Sequence, residues 1–418
     1  MRYIRTADSY VWPHHGPNEI YRWRFDDESK RDSMRRFPNG FVTVTGALAA
    51  LTALPYFLYL FLYAVLKPEG VPADKAPAEP TVSVVIPTYN EASIIDSKLS
   101  DIVALDYPLK KVEVVLADAS TDGTVATAKD FLDDYDAPEL TVIHDDERRG
   151  VATAVNEAVA SATGEVIFRT DADSALGPGV LRESVATLAD PSVGVVTGRQ
   201  TEVLGDSEVE TDYRDLLTLV QAVESRLDST FIVHGPCVAF RRDDYVPVPT
   251  DTIADDTALA LEIRRAGKRV VMNPAMRFVE SGVSSFRARR TRKDRRAKGL
   301  LQVLLRNRDM LGQYGSYGRI VLPINWWFMI VSPWLIASGV ALTSLIALLV
   351  AGPFGLVVPG AMVAYVWLGQ RDALGPLGTP YAVLDSQVSL WLASVELLIG
   401  GTGDGTWTVD RESREAFE

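Results

Sequence analysis

The feature that most restricts the fold of this chain is a long apolar segment near its start. From Phe41 to Leu66 there are 26 residues without a charged side chain. A helix of roughly 20 apolar residues is long enough to cross the hydrocarbon core of a bilayer. We therefore predict a transmembrane helix at 41–66. Pro55, near its middle, leaves a second interpretation open, which is a kinked or re-entrant hairpin that does not cross.

Apolar segments return after Arg319 and predict a second membrane region at 320–400. Two or three spans fit there, because the middle segment is short and can be a tilted helix or a membrane-surface element. Asp385, Gln387 and Glu396 lie within the last segment, which indicates a side facing the protein interior or a pore; an interfacial position of Asp385 is the alternative. The expected spans lie near 326–351, 354–369 and 380–400.

Basic residues beside the apolar segments bear on orientation. Many Arg and Lys lie between Arg287 and Arg319, and the positive-inside tendency then places the intervening domain in the cytoplasm. Arg31, Arg35 and Arg36 before the first segment favour the same side for the N-terminus, which one crossing cannot satisfy. Either the first segment is re-entrant, or the bias of the folded domain yields to the stronger basic cluster, and we favour the second.

Charge and cysteine content exclude several classes of function. The formal net charge of -13 and the pI near 4.9 argue against a nucleic-acid-binding protein, because neutralising phosphates needs a basic surface. Cys237 is the single cysteine, so an internal disulfide and every multi-cysteine metal site are excluded. We expect Cys237 to be a small apolar filler.

Between the apolar segments, over residues 81–319, short Val- and Ile-rich runs alternate with amphipathic stretches. This alternation predicts an α/β domain with a mostly parallel sheet. Residues 67–80 are a predicted linker, and the two ends of the chain, 1–40 and 401–418, are polar. The expected strands are Val82–Ile86, Val112–Leu116, Leu140–Ile143 and Glu165–Arg169, and the expected crossover helices are Ser93–Val103, Thr124–Leu132 and Val151–Ser161.

Acidic residues follow three of the predicted strands. The first strand runs into Pro87-Thr88-Tyr89-Asn90-Glu91, and the second leads into Asp118-Ala119-Ser120-Thr121-Asp122-Gly123-Thr124, where we expect Asp122 and Thr124 to cap the next helix. The strand ending at Arg169 leads into Asp171-Ala172-Asp173, whose carboxylates one turn can present to a hard divalent cation that also binds phosphates. Such residues should gather beyond the carboxyl ends of the strands.

These motifs resemble those of the large family-2 glycosyltransferases, which are inverting enzymes with the nucleotide-binding fold called GT-A. The resemblance covers about residues 80–310 and continues through Arg149-Gly150, Asn156 and Gly164-Glu165 in the family's order. The flanking spans look like those of cellulose-synthase-like and hyaluronan-synthase-like members. The resemblance therefore implies a GT-A domain flanked by transmembrane helices, a nucleotide-sugar donor, with a UDP-sugar favoured, and a bound Mg²⁺ or Mn²⁺.

The resemblance also implies roles for particular residues. Asp256, preceded by Asp255, is implied as the base that deprotonates the acceptor hydroxyl, and the alternative is that both acids only cap the helix beginning near Thr257. Asp173 is implied as the cation ligand, assisted by Asp171. The donor nucleotide is assigned to Pro87, Tyr89, Glu91, Asp118, Arg149 and Asp171, the diphosphate to Lys293, Arg295 and Arg296, and the acceptor to His234, Gly235 and Pro236.

The chain departs from the pattern of this family in three motifs. Ala117 stands where many members have the first of two acids, so that Asp118 is left to serve the nucleoside. Val151 replaces a lysine that many members carry after the glycine. Arg292 and Arg296 replace the Gln and Trp of the signature found in polymerising members, which argues against processive chain synthesis.

The predicted function is thus that of an integral membrane glycosyltransferase with a cytoplasmic catalytic domain. We expect the acceptor to be a polyprenol-linked saccharide in glycan assembly. A processive polysaccharide synthase of the hyaluronan or cellulose type is the alternative, and an inactive sugar-nucleotide-binding scaffold is an alternative of another class. The outer basic residues Arg287, Arg289 and Arg290 are expected to meet anionic membrane lipids.

Overall fold

The structure of the chain is a computed structural model that describes residues 43–204, 208–281, 286–371 and 373–400. The predicted polar segments at 1–40 and 401–418 lie outside the described residues. Residues 43–51 are the first turns of helix α1 (Thr43–Leu66), and the chain from Thr52 onward belongs to one compact unit.

The first half of the domain alternates strands and helices as predicted. Strands β1 (Val82–Thr88), β2 (Val112–Asp118), β3 (Glu139–His144) and β4 (Val166–Arg169) are connected by helices α2 (Ile95–Val103), α3 (Thr124–Leu132) and α4 (Val151–Ser161). All four strands pair in parallel, in the order β3-β2-β1-β4. Strands β1 and β2 run two residues beyond their predicted ends, because Pro87 and Thr88 continue the pairing with Ala117 and Asp118.

The second half adds four strands that make the sheet mixed. Strand β7 (Val238–Arg241) is antiparallel to both β4 and β6 (Val193–Leu204), β8 (Arg269–Ser281) is parallel to β6, and β5 (Ser174–Leu176) is antiparallel to β8. The α/β prediction is confirmed, and the parallel character is strongest in the first half. The helices of this half are α5 (Val180–Leu188), α6 (Glu208–Leu227), α7 (Asp255–Arg265) and α8 (Phe286–Arg306).

The sheet is buried on both faces. Along β1, Val84 and Ile86 pack in one apolar cluster, whereas Val85 packs in the other. Parallel strands buried on both faces read as nearly continuous apolar runs, which is why the sequence revealed them. The alternation continues to the end of β2, so that Ala117 and Asp118 point to opposite faces of the sheet.

Within the described residues, two helical segments are long and apolar enough to cross a membrane, namely α1 and Tyr317–Gly369. Helix α1 is continuous through Pro55, as the predicted helix requires, and the alternative hairpin is not formed. The second segment has 53 residues, and Gly352, with a φ of +55°, divides it. Its parts correspond to the predicted spans at 326–351 and 354–369, and the α-helices in it are α9 (Leu322–Trp326), α10 (Ser332–Ala351) and α11 (Val357–Gly369).

The last apolar segment forms helix α12 (Gly378–Leu398), and its acidic residues bind the basic helix α8. Asp385 lies 2.9 Å from Arg290 Nη1 and 3.1 Å from Lys293 Nζ. Glu396 lies 2.6 Å from Lys298 Nζ. Asp385, whose side chain is 13% exposed, therefore faces neighbouring protein, as the interior interpretation predicted, whereas the side chain of Glu396 is 52% exposed.

A buried carboxylate connects α1 to the rest of the domain. Glu224 on α6 is 1% exposed. It accepts hydrogen bonds from the Tyr59 hydroxyl on α1 at 2.5 Å and from Asn325 Nδ2 on α9 at 2.6 Å. The Thr230 hydroxyl at 3.1 Å and the Phe231 N–H at 2.9 Å also donate hydrogen bonds to this carboxylate. Burial raises the pKa of Glu224, so these donors must compensate for the lost hydration.

Replacement of Glu224 by Ala should lower the free energy of unfolding by about 3–5 kcal/mol, because several buried donors would lose their acceptor. In detergent, Tm should fall by on the order of 10 °C. Glu139, an exposed residue of β3, provides a matched control, since Glu139→Ala removes the same side chain without uncovering buried donors. Equal Tm values for the two variants would contradict the role given to Glu224.

Candidate active site

The carboxyl ends of β1, β2 and β3 and the start of α4 line an open cleft. Predicted donor residues Pro87, Tyr89, Asp118 and Arg149 all belong to its lining. Glu91 is buried, and its N–H donates to Thr124 Oγ1 at 2.9 Å, beside the first turn of α3. The other lining residues are Thr88, Ala117, Ala119, Ile143, Asp145, Arg148, Gly150, Val151, Ala154 and Glu157.

The carboxylate of Asp118 is fully buried and braces the three strand ends. It accepts hydrogen bonds from the Thr88 hydroxyl at 2.8 Å, from the hydroxyl and N–H of Ser120, and from His144 Nδ1 at 2.8 Å. Four donors occupy the lone pairs of its two oxygens. Asp118 also belongs to the lining of the cleft, and its nucleoside contact stays a prediction.

The loop after β2 is fixed by helix capping. Asp122 Oδ1 accepts the Thr124 N–H at 3.0 Å, and Asp122 Oδ2 accepts the Ala92 N–H at 3.3 Å. Burial opposes ionisation, but these bonds lower the pKa of Asp122 below its usual value. Asp122 therefore accepts one N–H of the first turn of α3, in part as predicted, whereas the N-cap position is Gly123 and Thr124 is the first helical residue.

Charged residues form the outer rim of the cleft. The Arg148 guanidinium lies 4.1 Å from the centre of the Tyr89 ring. Arg149, which precedes the first turn of α4, donates to Asp145 and, at 2.9 Å, to Glu157. Arg149 thus holds two carboxylates at the rim.

The Asp171-Ala172-Asp173 turn follows β4, as the sequence predicted, and it leads into the short strand β5. The side chains of Asp171 and Asp173 are about a third exposed, at 33% and 30%. Burial and the neighbouring carboxylates, foremost Asp173, raise the pKa of Asp171 to about 6, against the lowering effect of Arg169. Arg292 Nη2 lies 3.9 Å from Asp173.

This turn suits a cation that also binds the substrate. In the described part of the chain, no group of three or more His, Cys, Asp and Glu side chains can hold a metal ion. Asp171 and Asp173 would therefore supply only part of an oxygen shell. Phosphate oxygens and water complete such shells for Mg²⁺, so the donor set fits a cation that arrives with a diphosphate.

A buried lysine, which the sequence analysis missed, supports the turn from beneath. The Lys98 ammonium donates to the Ser174 carbonyl at 2.8 Å and to Ser174 Oγ at 3.0 Å, and the residue is 2% exposed. Burial lowers its pKa to about 8. The available signal was a lysine placed on the apolar stripe of α2, between Ile95 and Ile102.

The two acids at the start of α7 differ in environment. Asp255 is buried, and Arg169 Nη1 donates to its Oδ2 at 2.6 Å. Burial raises the pKa of Asp255, with Arg169 acting in the opposite direction. Asp256 is half-buried; its Oδ2 accepts the Gly235 N–H at 2.9 Å and its Oδ1 accepts the Thr257 N–H at 2.6 Å. Two backbone donors therefore orient the carboxylate of Asp256.

Basic residues of α8 gather around Glu280 at the end of β8. Arg296 Nη2 donates to both oxygens of Glu280 at 3.2–3.3 Å, and Arg292 lies 3.8 Å away. Burial opposes ionisation of Glu280, but these arginines hold its pKa at about 2. Burial, together with Arg296 and Arg292, lowers the pKa of Arg295 to about 10. Lys293 is not brought into this group, because it binds Asp385.

The predicted acceptor residues form the turn before β7, and Gly235 and Pro236 are buried there. His234 Nε2 lies 3.3 Å from Gln221 Oε1, and its ring centre lies 5.5 Å from that of Phe278. Burial lowers the pKa of His234, which favours the neutral imidazole. The turn contacts the base motif through the Gly235 N–H.

Comparison with known proteins gives consistent matches. Residues 83–246 match the family model described as Glycosyl transferase family 2, and residues 166–368 match Glycosyl transferase family group 2. The mannosyltransferase PcManGT from Pyrobaculum calidifontis, solved in complex with GDP-Man and Mn²⁺, is 30% identical with a TM-score of 0.71. The match covers 86% of this chain and 99% of that one.

Two curated relatives match more distantly or over a shorter length. An N-acetylglucosaminyltransferase of Azorhizobium caulinodans is 23% identical over 299 residues, which are 66% of this chain and 75% of the relative. Glycosyltransferase AglE of Haloferax volcanii is 31% identical over 147 residues, which are 35% of this chain and 48% of AglE. The chain thus matches about half the length of AglE.

Proposed function

The chain belongs to glycosyl transferase family 2 and is a glycosyltransferase, and we propose that it moves a sugar, with inversion, from a nucleoside diphosphate to an acceptor held at the membrane. The main support for this proposal is that one residue, Arg169, contacts two motifs that are far apart in sequence. Arg169 lies 3.6 Å from Asp171 and 2.6 Å from Asp255, next to the candidate base Asp256. The donor-side turn and the base motif are therefore adjacent.

In the proposed reaction, the acceptor hydroxyl oxygen bonds to the anomeric carbon as the bond from that carbon to the diphosphate oxygen breaks. Asp256 takes the hydroxyl proton, and the electron pair of the broken bond leaves with the diphosphate. The N–H groups of Gly235 and Thr257 hold Asp256 in place. Arg295 and Arg296 are proposed to bind the diphosphate, because guanidinium groups match phosphate oxygens in charge and geometry.

Asp173 and Asp171 are the proposed ligands of a divalent cation, Mg²⁺ or Mn²⁺. Such a cation supplies positive charge where the leaving diphosphate gains negative charge. The exposure of both carboxylates at the turn supports this assignment. Lys293 is left out of the proposed site because its ion pair joins it to Asp385 on α12, whereas Arg296 pairs with Glu280, the strand partner of Ser174 directly after the turn.

We propose GDP-mannose as the first donor to test, in place of the UDP-sugar favoured by the family resemblance. The lining contains the short side chains of Ala117, Ala119 and Ala154, and the carboxylates of Asp145 and Glu157. Arg149 donates to Oδ2 of Asp145, and guanine, which carries two adjacent N–H donor groups on one edge, suits the remaining lone pairs of such a carboxylate. The Pyrobaculum calidifontis mannosyltransferase, with GDP-Man bound, supports the same choice.

A polyprenol-linked saccharide remains the proposed acceptor. The two apolar helical segments support a membrane location for the acceptor. Arg296 stands where polymerising relatives carry a tryptophan, and it binds Glu280, which favours a single addition over processive synthesis. The catalytic domain is proposed to face the cytoplasm.

The donor proposal predicts a cation-dependent change in thermal stability. GDP-mannose with Mn²⁺ should raise Tm of the purified protein in detergent, because a ligand at about 100 times its Kd adds about 2.7 kcal/mol to the folded state. UDP-N-acetylglucosamine, UDP-glucose and GDP-mannose with a chelator serve as controls. A larger shift with a UDP-sugar would overturn the choice of guanosine.

The acceptor proposal predicts the size of the product. A membrane extract supplying lipid-linked saccharides, incubated with labelled donor, should yield a product that is one sugar larger and extracts into organic solvent. A ladder of long water-soluble chains would instead identify a processive synthase. No labelled product with any donor would contradict the proposed transfer.

A further inference from the structure

The centre of the candidate site holds a buried arginine to which neither the sequence motifs nor the proposed reaction gives a chemical role. Arg169 is the last residue of β4 and is 6% exposed. Its Nη1 donates to Asp255 Oδ2 at 2.6 Å, and its Nη2 lies 3.6 Å from Asp171 Oδ1. Three apolar residues, at positions 166–168, precede it in the strand. A charged side chain has thus been placed at the end of a core strand.

Stability is a poor explanation for this ion pair. Removing both charges from water costs several kcal/mol per ion, and well-packed apolar residues of similar volume are often as stabilising as a buried pair. The sheet around Arg169 offers apolar packing on both faces. What an ion pair adds is a fixed geometry, because a charge-assisted hydrogen bond holds both partners in one orientation.

Arg169 contacts two residues that position Asp256, namely Asp255 and Gly235. On one side, Arg169 holds Asp255, the residue directly before Asp256 at the start of α7. On the other side, Gly235, whose N–H donates to Asp256 Oδ2, lies against the Arg169 guanidinium. A Cβ added at Gly235 would stand only 3.2 Å from Arg169 Cζ. Movement of Arg169 would therefore disturb both supports of Asp256.

We infer that Arg169 is a positioning residue, which fixes the carboxylate of Asp256 relative to the cation-binding turn at Asp171. This inference rests on the proposed function, since it assigns Asp256 the role of base. Arg169 touches neither the proton nor the sugar. It acts through Asp255 and Gly235, and its proximity to Asp171 sets the distance between the donor side and the acceptor side of the site.

A double-mutant cycle tests this role. Arg169→Gln and Asp255→Asn should each lower kcat by about 100-fold, the effect expected of a displacement near 1 Å. Donor KM should change by less than about threefold in Asp255→Asn, because donor binding does not use Asp256, and should rise more in Arg169→Gln, which also loses the positive charge beside Asp171. The double variant should be no slower than the slower single variant, because both substitutions break the same contact, the ion pair between Arg169 and Asp255. Arg169→Lys should recover part of kcat by restoring the charge.

The matched control is an ion pair at the other end of α7, the helix that begins at Asp255. Arg264 binds Asp228 through two hydrogen bonds of 3.1 Å, with side-chain exposures of 10% and 14%, against 7% and 10% for Arg169 and Asp255. Arg264→Gln should lower Tm and leave kcat within about twofold of wild type. A near-normal kcat in Arg169→Gln would overturn the inference. So would a double variant in which the losses of kcat from the two single substitutions multiply.

A variant without a charge change covers the case in which Arg169→Gln does not fold. Gly235→Ala pushes a methyl group against the guanidinium and should lower kcat by about tenfold, with Tm close to that of wild type. Unchanged kcat in Gly235→Ala would also overturn the inference. If the wild-type protein itself transfers no sugar, the proposed function fails first; if it does and the cycle is additive, the positioning role alone fails.

Discussion

Replacement of Asp256 by Asn should lower the rate of sugar transfer by about 10³-fold, while the protein continues to bind its donor. The size follows from the loss of general-base catalysis, which contributes about 10²–10⁴-fold. The amide oxygen of the substituted side chain can still accept the Gly235 N–H that now binds Asp256 Oδ2. The change therefore removes basicity and keeps one of the two contacts that orient the side chain.

The measurement is kcat in a single-addition assay, together with the donor-induced shift in Tm. Asp251→Asn is the matched control, because Asp251 lies on the surface and binds Arg306. We expect the control to keep full activity. Transfer by Asp256→Asn at more than about a tenth of the wild-type rate would exclude Asp256 as the base, even if the fold and donor binding are intact.

The first half of the domain could be predicted because the local pattern of apolar and polar residues agrees with the strands and helices that form there. Strands β1, β2 and β4 are buried on both faces and appear as Val- and Ile-rich runs, and α3 and α4 match the predicted bounds at Thr124–Leu132 and Val151–Ser161. The order of acidic strand ends is also a local property of the chain. A parallel sheet then brings those ends to one edge.

Strand β7 and the antiparallel pairs could not be predicted in the same way. Val238–Arg241 has four residues, too few to show a period, and its direction depends on contacts with β4 and β6. The direction of a short strand is decided by its neighbours in the sheet. For the same reason the three-residue strand β5 was not expected.

The contacts of two predicted site residues come from parts of the chain that motif spacing does not reveal. Asp118 is predicted to serve the nucleoside, and in the structure its carboxylate accepts hydrogen bonds from Thr88, Ser120 and His144. The face on which a strand-end residue points depends on the register, which motif spacing does not reveal. Lys293 was assigned to the diphosphate, but its partner Asp385 lies 92 positions later in the chain. Long-range ion pairs of this kind are set by helix packing.

Removal of the Asp173 carboxylate should also strongly lower the rate of sugar transfer, and it should do so by weakening donor binding. Asp173→Asn takes away the carboxylate proposed as the main cation ligand, so transfer should fall by about 10²–10³-fold, in line with the loss of several kcal/mol of charge stabilisation from the cation. The Mn²⁺-dependent part of the donor-induced Tm shift should disappear as well. Asp256→Asn, by contrast, should keep that shift.

The stability of the Asp173 variant without ligand separates a cation ligand from a structural residue. Asp173 raises the pKa of Asp171 by repulsion between the two carboxylates, and Asp173 also lies 3.9 Å from Arg292. Asp173→Asn should therefore change the ligand-free Tm by little, since a like-charge contact and an ion pair are lost together. Asp106→Asn, an exposed acid bound to Arg182, is the matched control and should keep both activity and the Mn²⁺-dependent shift. A ligand-free Tm several degrees below wild type would identify Asp173 as structural. Retention of the Mn²⁺-dependent shift would place the cation elsewhere, because a site with one carboxylate fewer cannot bind it with undiminished strength.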